Sequence, residues 1–182
     1  MEERGISRRR AREEGVVLSH DEALTEVPLG LPGRLFRCAM PFSGYDPRGR
    51  AFEEFRVQGV TVVVVLVGAD ECARLTGQDL YALYRDEGLD VVALPIPDFG
   101  VADLPRVRDV VSRVLDGLRD GRNVAVHCHA GIGRAGTILA CVAREALGLG
   151  GDEVIPWLRR YVRGAIETPA QAQLVMRYGA EG

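Results

Sequence analysis

Residues 123–137 of this 182-residue chain are NVAVHCHAGIGRAGT, an apolar run followed by a glycine-containing loop and an arginine. The run Asn123–His127 is rich in valine, as expected of a buried strand. Arg134 opens a mostly apolar stretch to Leu147 whose composition is typical of a largely buried helix. The sequence therefore predicts a strand, a tight loop that begins at Cys128, and a helix, in that order.

This loop has the composition of a binding site for a tetrahedral anion such as phosphate. Its glycines let the backbone curl so that several N–H groups face one cavity, and the dipole of the following helix adds positive charge there. The planar guanidinium of Arg134 can hold two oxygens of the anion. The predicted phosphate-binding residues are His129, Ala130, Gly131, Ile132, Gly133 and Arg134.

The same surroundings favour a thiolate on Cys128, which predicts that this residue is a nucleophile. His127 is expected to help fix the loop through its ring nitrogens. The alternative is a buried core thiol at a strand end, followed by an ordinary glycine turn. That alternative does not explain why an arginine should open a helix directly after the loop.

A thiolate nucleophile also needs an acid for the leaving group, and Asp98 in Pro95-Ile96-Pro97-Asp98-Phe99-Gly100 is the candidate. Strand ends of an α/β sheet gather at one edge, so this segment can lie beside the cysteine loop. Prolines stiffen its approach, and Gly100 could act as the hinge of a closing lid. Asp103 is the reserve candidate, although it also suits the N-cap of the next helix.

Outside this segment, strands and helices alternate along the chain. Strands are predicted at residues 33–38, 61–67 and 90–96, and a short extended piece at Val16–Leu18. Helices are predicted at residues 78–87, 103–119, 134–147, 152–162 and 169–178. The pattern predicts a single three-layer α/β domain over residues 16–182, with a central, mainly parallel sheet flanked by helices, after a flexible charged arm at residues 1–15.

The composition predicts a soluble, monomeric protein of the cytoplasm. Net charge is −3, and the arginines of the arm are interleaved with glutamates, so neither a nucleic acid nor a membrane is expected as a partner. The four cysteines form no CxxC pair and no zinc-ligand spacing, so free thiols, no metal and no cofactor are expected. The first 14 residues lack the apolar core of a signal peptide.

The segment from Cys128 to Arg134 resembles the Cys-x5-Arg signature of the protein tyrosine phosphatase superfamily. Over about residues 33–178 the chain is most similar to small dual-specificity and kinase-associated phosphatases. The resemblance implies that Cys128 forms a phosphocysteine, that Arg134 binds the phosphate, and that Asp98 first protonates the leaving oxygen and then activates water. It further implies that Gln171, or else Gln173, positions that water. The alternative for both glutamines is that they coat a surface helix.

One departure from the family pattern lies next to the arginine. Most relatives have a serine or threonine there, whose hydroxyl can donate to the cysteine sulfur, whereas this chain has Ala135. Thr137 matches a threonine of the relatives but lies two positions further on. We therefore expect slower breakdown of the phosphoenzyme. Cys72 is a candidate redox partner of the nucleophile, with an ordinary buried thiol as the simpler interpretation.

The resemblance implies hydrolysis of phosphotyrosine in proteins or peptides, with phosphoserine and phosphothreonine as further substrates. Tyr45 could form a wall of the pocket. Three alternatives stay open: a phosphoinositide or other small-phosphomonoester phosphatase, a non-catalytic phosphate-binding pseudophosphatase, and a rhodanese-like sulfurtransferase. The loop contains only His129 as a potential extra cation, which argues against a polyphosphate substrate.

Overall fold

The computed structural model of the protein describes residues 23–179, which form five strands and seven helices. The strands are β1 Thr25–Val27, β2 Leu35–Cys38, β3 Val60–Val65, β4 Asp90–Ala93 and β5 Asn123–His127. The helices are α1 Arg50–Val57, α2 Ala69–Thr76, α3 Leu80–Asp86, α4 Leu104–Arg119, α5 Gly133–Leu147, α6 Gly151–Leu158 and α7 Pro169–Tyr178. The predicted arm at residues 1–15 and the extended piece Val16–Leu18 lie outside the described residues, so the domain start at residue 16 stays a prediction.

The sheet has the strand order β1-β2-β5-β3-β4. All neighbours run parallel except β1, which pairs antiparallel with β2 at the edge. From β2 the chain passes over the position of β5 to reach β3, and β4 follows at the edge of the sheet. From β4 the chain runs back over β3 to β5, in the opposite direction across the sheet. Because such crossovers are right-handed, α1–α3 lie on one face and α4 on the opposite face, where α5–α7 pack with it. This confirms the predicted three-layer α/β fold with a mainly parallel sheet.

The centre of the core is formed by β3 and β5. Residues 63–65 of β3 and residues 124–126 of β5 have no exposed surface. Helices cover both faces of these strands, which explains why their sequences are continuous apolar runs and not alternating ones. Thr61 is exposed, and the pairing of β3 with β5 is irregular between Val60 and Val62.

Several predicted boundaries need correction. The strand predicted at residues 90–96 ends at Ala93, because Pro95 and Pro97 cannot donate to a ladder. The helix predicted at residues 152–162 ends at Leu158, where a turn follows. The prediction missed β1, α1 and α2 altogether. None of the helices within residues 23–179 is long and apolar enough to span a bilayer.

This topology places the carboxyl end of β5 at the edge of the sheet where the site is predicted. The strand lies between β2 and β3, and the crossovers on its two sides cover opposite faces of the sheet. Parallel α/β sheets have their binding crevice at such a point. Cys128 follows directly after β5 and therefore lies at this point of the sheet.

Candidate active site

The loop between β5 and α5 has its carbonyl groups bound by donors on its outer side. Residues 129–132 each supply one carbonyl oxygen that accepts a hydrogen bond from outside the loop. These bonds join His129 O to Met40 N–H (2.9 Å), Ala130 O to Arg37 Nη2 (3.1 Å), Gly131 O to Arg37 Nε (2.8 Å) and Ile132 O to Gly136 N–H (3.0 Å). A trans peptide points its N–H away from its carbonyl, and the described residues contain no cis peptide. The N–H groups of residues 130–133 are therefore directed to the inner side.

Cys128 lies at the base of this loop and is 3% exposed. The N–H of Gly131 donates to its Sγ at 3.3 Å. Gly131 has a φ of 76°, and a Cβ atom at this position would clash with the carbonyl oxygen of Cys38. Glycine tolerates the positive φ and has no Cβ atom to clash. The predicted curl of the loop therefore depends on this residue.

Arg134 lies in the first turn of α5 and is 2% exposed. Its guanidinium donates to the carbonyl oxygen of Ile96 at 3.0 Å and contacts the Glu71 carboxylate at 3.4 Å. It also forms an ion pair with Asp98, with 3.1 Å between Nη2 and Oδ1. The predicted phosphate-binding arginine and the predicted acid are therefore in direct contact, although they are 36 positions apart in the sequence.

The segment of residues 95–100 that contains Asp98, the acid segment, forms an exposed turn beside Arg134. Asp98 is 57% exposed and accepts a hydrogen bond from the N–H of Phe99, which has a φ of 57°. The N–H of Gly100 closes the turn on the carbonyl of Pro97 at 2.8 Å. The reserve candidate Asp103 caps α4 instead, since its Oδ1 accepts from the N–H of Arg106. The geometry thus favours Asp98 as the acid.

His127 is fully buried below the loop. Its Nδ1 lies 3.0 Å from the carbonyl oxygen of Cys128, which can only accept, so Nδ1 holds the proton. Nε2 then accepts from the hydroxyl of Tyr84 at 3.0 Å. Burial lowers the pKa of His127 to about 4. The imidazole is consequently neutral at physiological pH, and it supports the strand end without carrying charge.

Gln171 connects α7 to the acid segment. Its Oε1 accepts from the N–H groups of Glu167 and Thr168, and its Nε2 donates to the carbonyl of Gly100 at 3.3 Å. It has no exposed surface and packs beside Gly133 of the predicted phosphate loop, residues 128–134. The surface-helix interpretation is therefore wrong for Gln171, whereas Gln173 is exposed.

The position after the arginine lacks a hydroxyl, as the sequence shows. Ala135 has no exposed surface. Thr137 is also buried, and its hydroxyl donates to the carbonyl of Gly133 at 2.8 Å, a bond within the helix. The sulfur of Cys128 accepts a hydrogen bond from the backbone N–H of Gly131.

The remaining thiols are buried and reduced. Cys72, the candidate redox partner, donates weakly to the carbonyl of Val67 at 3.9 Å. Burial and the neighbouring Glu71 raise its pKa to about 11. Burial also raises the pKa values of Cys38 and Cys141. These shifts suppress the thiolate that disulfide exchange requires, which favours ordinary buried thiols.

Two residues of this site, Glu71 and Arg37, were missed by the sequence prediction. Glu71 contacts Arg134 across 63 positions, and Arg37 contacts the loop across 93 and 94 positions. Neither belongs to a local motif. One sequence feature could have indicated Arg37: it is a charged residue among apolar ones in the predicted strand 33–38.

Comparison with known proteins agrees with this geometry. A family model described as a DSP-PTPase phosphatase of polymorphic toxin systems matches residues 42–146, more than half of the chain, and this range includes Asp98, Cys128 and Arg134. The chain belongs to this dual-specificity and protein tyrosine phosphatase family. The assignment confirms the predicted resemblance and argues against a sulfurtransferase.

Individual relatives of this dual-specificity family member show the same relationship. Protein tyrosine phosphatase domain-containing protein 1 of Mus musculus is 30% identical over 152 residues, which is 79% of this chain and 20% of that protein. Cyclin-dependent kinase inhibitor 3 of Rattus norvegicus is 28% identical over 58% of this chain and 51% of that protein. The chain thus spans about a fifth to a half of the length of these curated relatives.

Solved structures share the fold of this phosphatase-family domain. Kinase-associated phosphatase, with serine in place of its catalytic-site cysteine, has a TM-score of 0.77 and 22% identity, covering 88% of this chain and 96% of that one. Tk-PTP in its active form has a TM-score of 0.73 and 25% identity, covering 88% and 98%. The chain therefore shares the fold of these phosphatases over 88% of its length.

Proposed function

We propose that the protein is a phosphatase that hydrolyses phosphotyrosine in proteins or peptides through a phosphocysteine intermediate on Cys128. The observation that supports this most directly is the convergence of two segments: Arg134, at the end of the phosphate loop, contacts Asp98 of the acid segment. The inward N–H groups of the loop supply the complementary anion site. These contacts support a nucleophile, an anion cradle and an acid that act together at the end of β5.

In the proposed first step, the Cys128 thiolate attacks phosphorus and the bond to the substrate oxygen breaks. Loop N–H groups and Arg134 hold the phosphoryl oxygens and stabilise the charge of the transition state. Asp98 gives its proton to the departing oxygen. Because Asp98 and a phosphate group bind the same guanidinium, the incoming dianion displaces the carboxylate from Arg134 and leaves it beside the departing oxygen.

In the second step, Asp98 removes a proton from water, and the oxygen of that water attacks the phosphocysteine. The S–P bond breaks, inorganic phosphate leaves, and the thiolate is restored. Gln171 holds the carbonyl of Gly100 and so fixes the acid segment against α7. Thr168 adds a second contact, from its hydroxyl to the carbonyl of Phe99 at 3.4 Å.

Two exposed aromatic side chains favour phosphotyrosine over the shorter phosphoserine and phosphothreonine. Tyr45 is 62% exposed, and its ring lies edge-on to His129 of the loop with centroids 4.8 Å apart. Phe99 is 60% exposed and directly follows Asp98. Aromatic walls contact the ring of a phosphotyrosine but not a serine side chain. Phosphopeptides that differ only in the phosphorylated residue test this preference.

A phosphoinositide substrate is disfavoured by the charges around the loop. A carboxylate oxygen of Glu167 packs against Gly133, where a Cβ atom would clash with it. Glu71 adds a second carboxylate beside Arg134. Acidic groups at these positions repel additional phosphates. Inositol phosphates are therefore expected to be poorer substrates than phosphotyrosine peptides.

Asp98→Asn is expected to lower kcat for a phosphotyrosine peptide about 10²-fold, since an amide cannot protonate the leaving oxygen. The loss should be smaller for p-nitrophenyl phosphate, whose leaving group needs less protonation. Steady-state kinetics on both substrates measure the difference. Asp103→Asn, at the cap of α4, is the matched control and should retain turnover. Equal losses for both substrates would argue against the acid role.

Ala135→Ser is expected to raise kcat about threefold, because the added hydroxyl can donate to the sulfur as it leaves phosphorus. Rapid-quench detection of the phosphoenzyme measures its breakdown directly. The hydroxyl could instead donate within the helix, as Thr137 does to Gly133. An unchanged breakdown rate would contradict the prediction and point to that bond.

A further inference from the structure

Among the four bound carbonyls of the phosphate loop, the two in the middle depend on a single side chain. Met40 and Gly136 hold the outer carbonyls through their backbone N–H groups, which no substitution except proline removes. Arg37 holds the carbonyls of Ala130 and Gly131 through its guanidinium. The central part of the cradle therefore depends on one residue of β2.

Arg37 reaches the loop from the neighbouring strand. It is paired with Val126 in the ladder between β2 and β5, two positions before Cys128. Its side chain is half-buried, and its Nε and Nη2 atoms lie 2.8 Å and 3.1 Å from the two carbonyl oxygens. Such a two-point contact by one planar group fixes the orientation of both peptide units.

One of these peptide units also contacts the nucleophile. The carbonyl of Ala130 accepts from Arg37, and the N–H of the same peptide, which belongs to Gly131, donates to Cys128 Sγ at 3.3 Å. A cation bound to the oxygen of a peptide polarises its N–H and strengthens the bond that the N–H donates. The guanidinium thus acts on the sulfur through three atoms of backbone.

We propose that Arg37 is a positioning residue that stabilises the Cys128 thiolate through the Ala130–Gly131 peptide and so offsets the missing hydroxyl at position 135. This inference rests on the proposed phosphocysteine chemistry. It assigns the stabilisation to a charged side chain on β2, in place of a hydroxyl on α5. Arginine suits this role because it stays protonated even when half-buried.

The electrostatics around Arg37 agree with this assignment. Burial lowers the pKa of Arg37, and a thiolate on Cys128 opposes that shift. The guanidinium and a charged Cys128 therefore stabilise each other. Space around the contact is also limited, since a Cβ atom on Gly131 would crowd both Arg37 Nε and the carbonyl of Cys38.

The test is Arg37→Met, which keeps the apolar stem and removes charge and donors. Iodoacetamide alkylation of Cys128, followed by mass spectrometry against pH, reports the thiolate without any turnover. We expect the midpoint to rise by about one pH unit, which corresponds to a tenfold lower thiolate fraction below the midpoint. Vanadate should bind about tenfold more weakly. Arg37→Lys, which keeps the charge with one point of contact, should recover part of both effects.

Arg34→Met is the control. Arg34 directly precedes β2, the strand that carries Arg37, but it pairs with Glu26 on the surface. A purely structural role for Arg37 predicts lower thermal stability with an unchanged alkylation profile, and that result would overturn the proposal. If Arg37→Met does not fold, the same comparison is made with Arg37→Lys. The wild type could hydrolyse nothing while Arg37→Met still shifts the pH dependence of Cys128 alkylation. That result would contradict the phosphatase function but support the contact between Arg37 and the thiolate.

A double-mutant cycle tests the compensation itself. If Arg37 replaces the missing hydroxyl, Arg37→Met should cost about tenfold in vanadate affinity in the native background and about threefold with Ala135→Ser. Equal losses in the two backgrounds would show that the two groups act independently and would refute the compensation.

Discussion

Cys128→Ser is expected to lower kcat for p-nitrophenyl phosphate by about 10⁴-fold or more, because a serine hydroxyl in this crevice lacks the acidity and nucleophilicity of the thiol. Serine keeps the size of the side chain and leaves the cradle intact, since the loop carbonyls are held by Arg37 and by backbone donors. The variant should therefore still bind inorganic phosphate or vanadate. Hydrolysis in EDTA and calorimetric vanadate titration give the two readouts.

The matched control for this experiment is Cys72→Ser, a buried thiol on α2 that is expected to leave turnover unchanged. Activity of the wild type that persists in EDTA and disappears in the Cys128 variant would support the thiolate mechanism. A folded, reduced wild type that binds vanadate but hydrolyses nothing would contradict it. That outcome would favour the pseudophosphatase alternative.

The loop itself is the part of the site that the sequence predicts best. Its strand, glycines, cysteine and arginine are adjacent in the chain, so their geometry follows from local backbone rules. The boundaries predicted for β5 and α7 match the structure. At α7 the reason is a strong local signal: Thr168 and Gln171 form a capping box, and Pro169 occupies the first turn.

Elements without such local signals escaped prediction. Helix α1 begins at Arg50 after a glycine and has no N-cap side chain at that position. Its first N–H groups are instead bound by Asp46, whose carboxylate accepts from Arg50 and Ala51 at 2.9 Å. A cap that lies four residues before the helix is not recognised by the usual pattern. Strand β1 is only three residues long.

The contacts around the loop could not be predicted for a different reason. Arg37 and Glu71 reach the site through the packing of β2 and α2 beside β5, and their partners are far away in the sequence. An arginine in a strand pattern is compatible with many surface positions. Only the register of β2 with β5 places this one beneath the phosphate loop. Long-range side-chain contacts of this kind need the three-dimensional arrangement.

Arg134→Lys is expected to lower kcat/KM for a phosphotyrosine peptide by about 10³-fold while the net charge stays the same. Lysine has one donor centre, whereas Arg134 contacts the Ile96 carbonyl through Nη1, Asp98 through Nη2 and Glu71 through both nitrogens. A single ammonium cannot hold the Ile96 carbonyl, Glu71 and two phosphate oxygens at once. The loss should therefore appear in both vanadate affinity and kcat.

Two comparisons make this prediction specific. Glu71→Gln removes a carboxylate from Arg134 but leaves the fork in place, so its effect should be much smaller than that of Arg134→Lys. Circular dichroism and thermal unfolding establish that each variant is folded, which matters because Arg134 is only 2% exposed. If folded Arg134→Lys hydrolysed the peptide within a few-fold of the wild-type rate, charge alone would suffice. The two-point phosphate contact at the centre of the proposed mechanism would then be wrong.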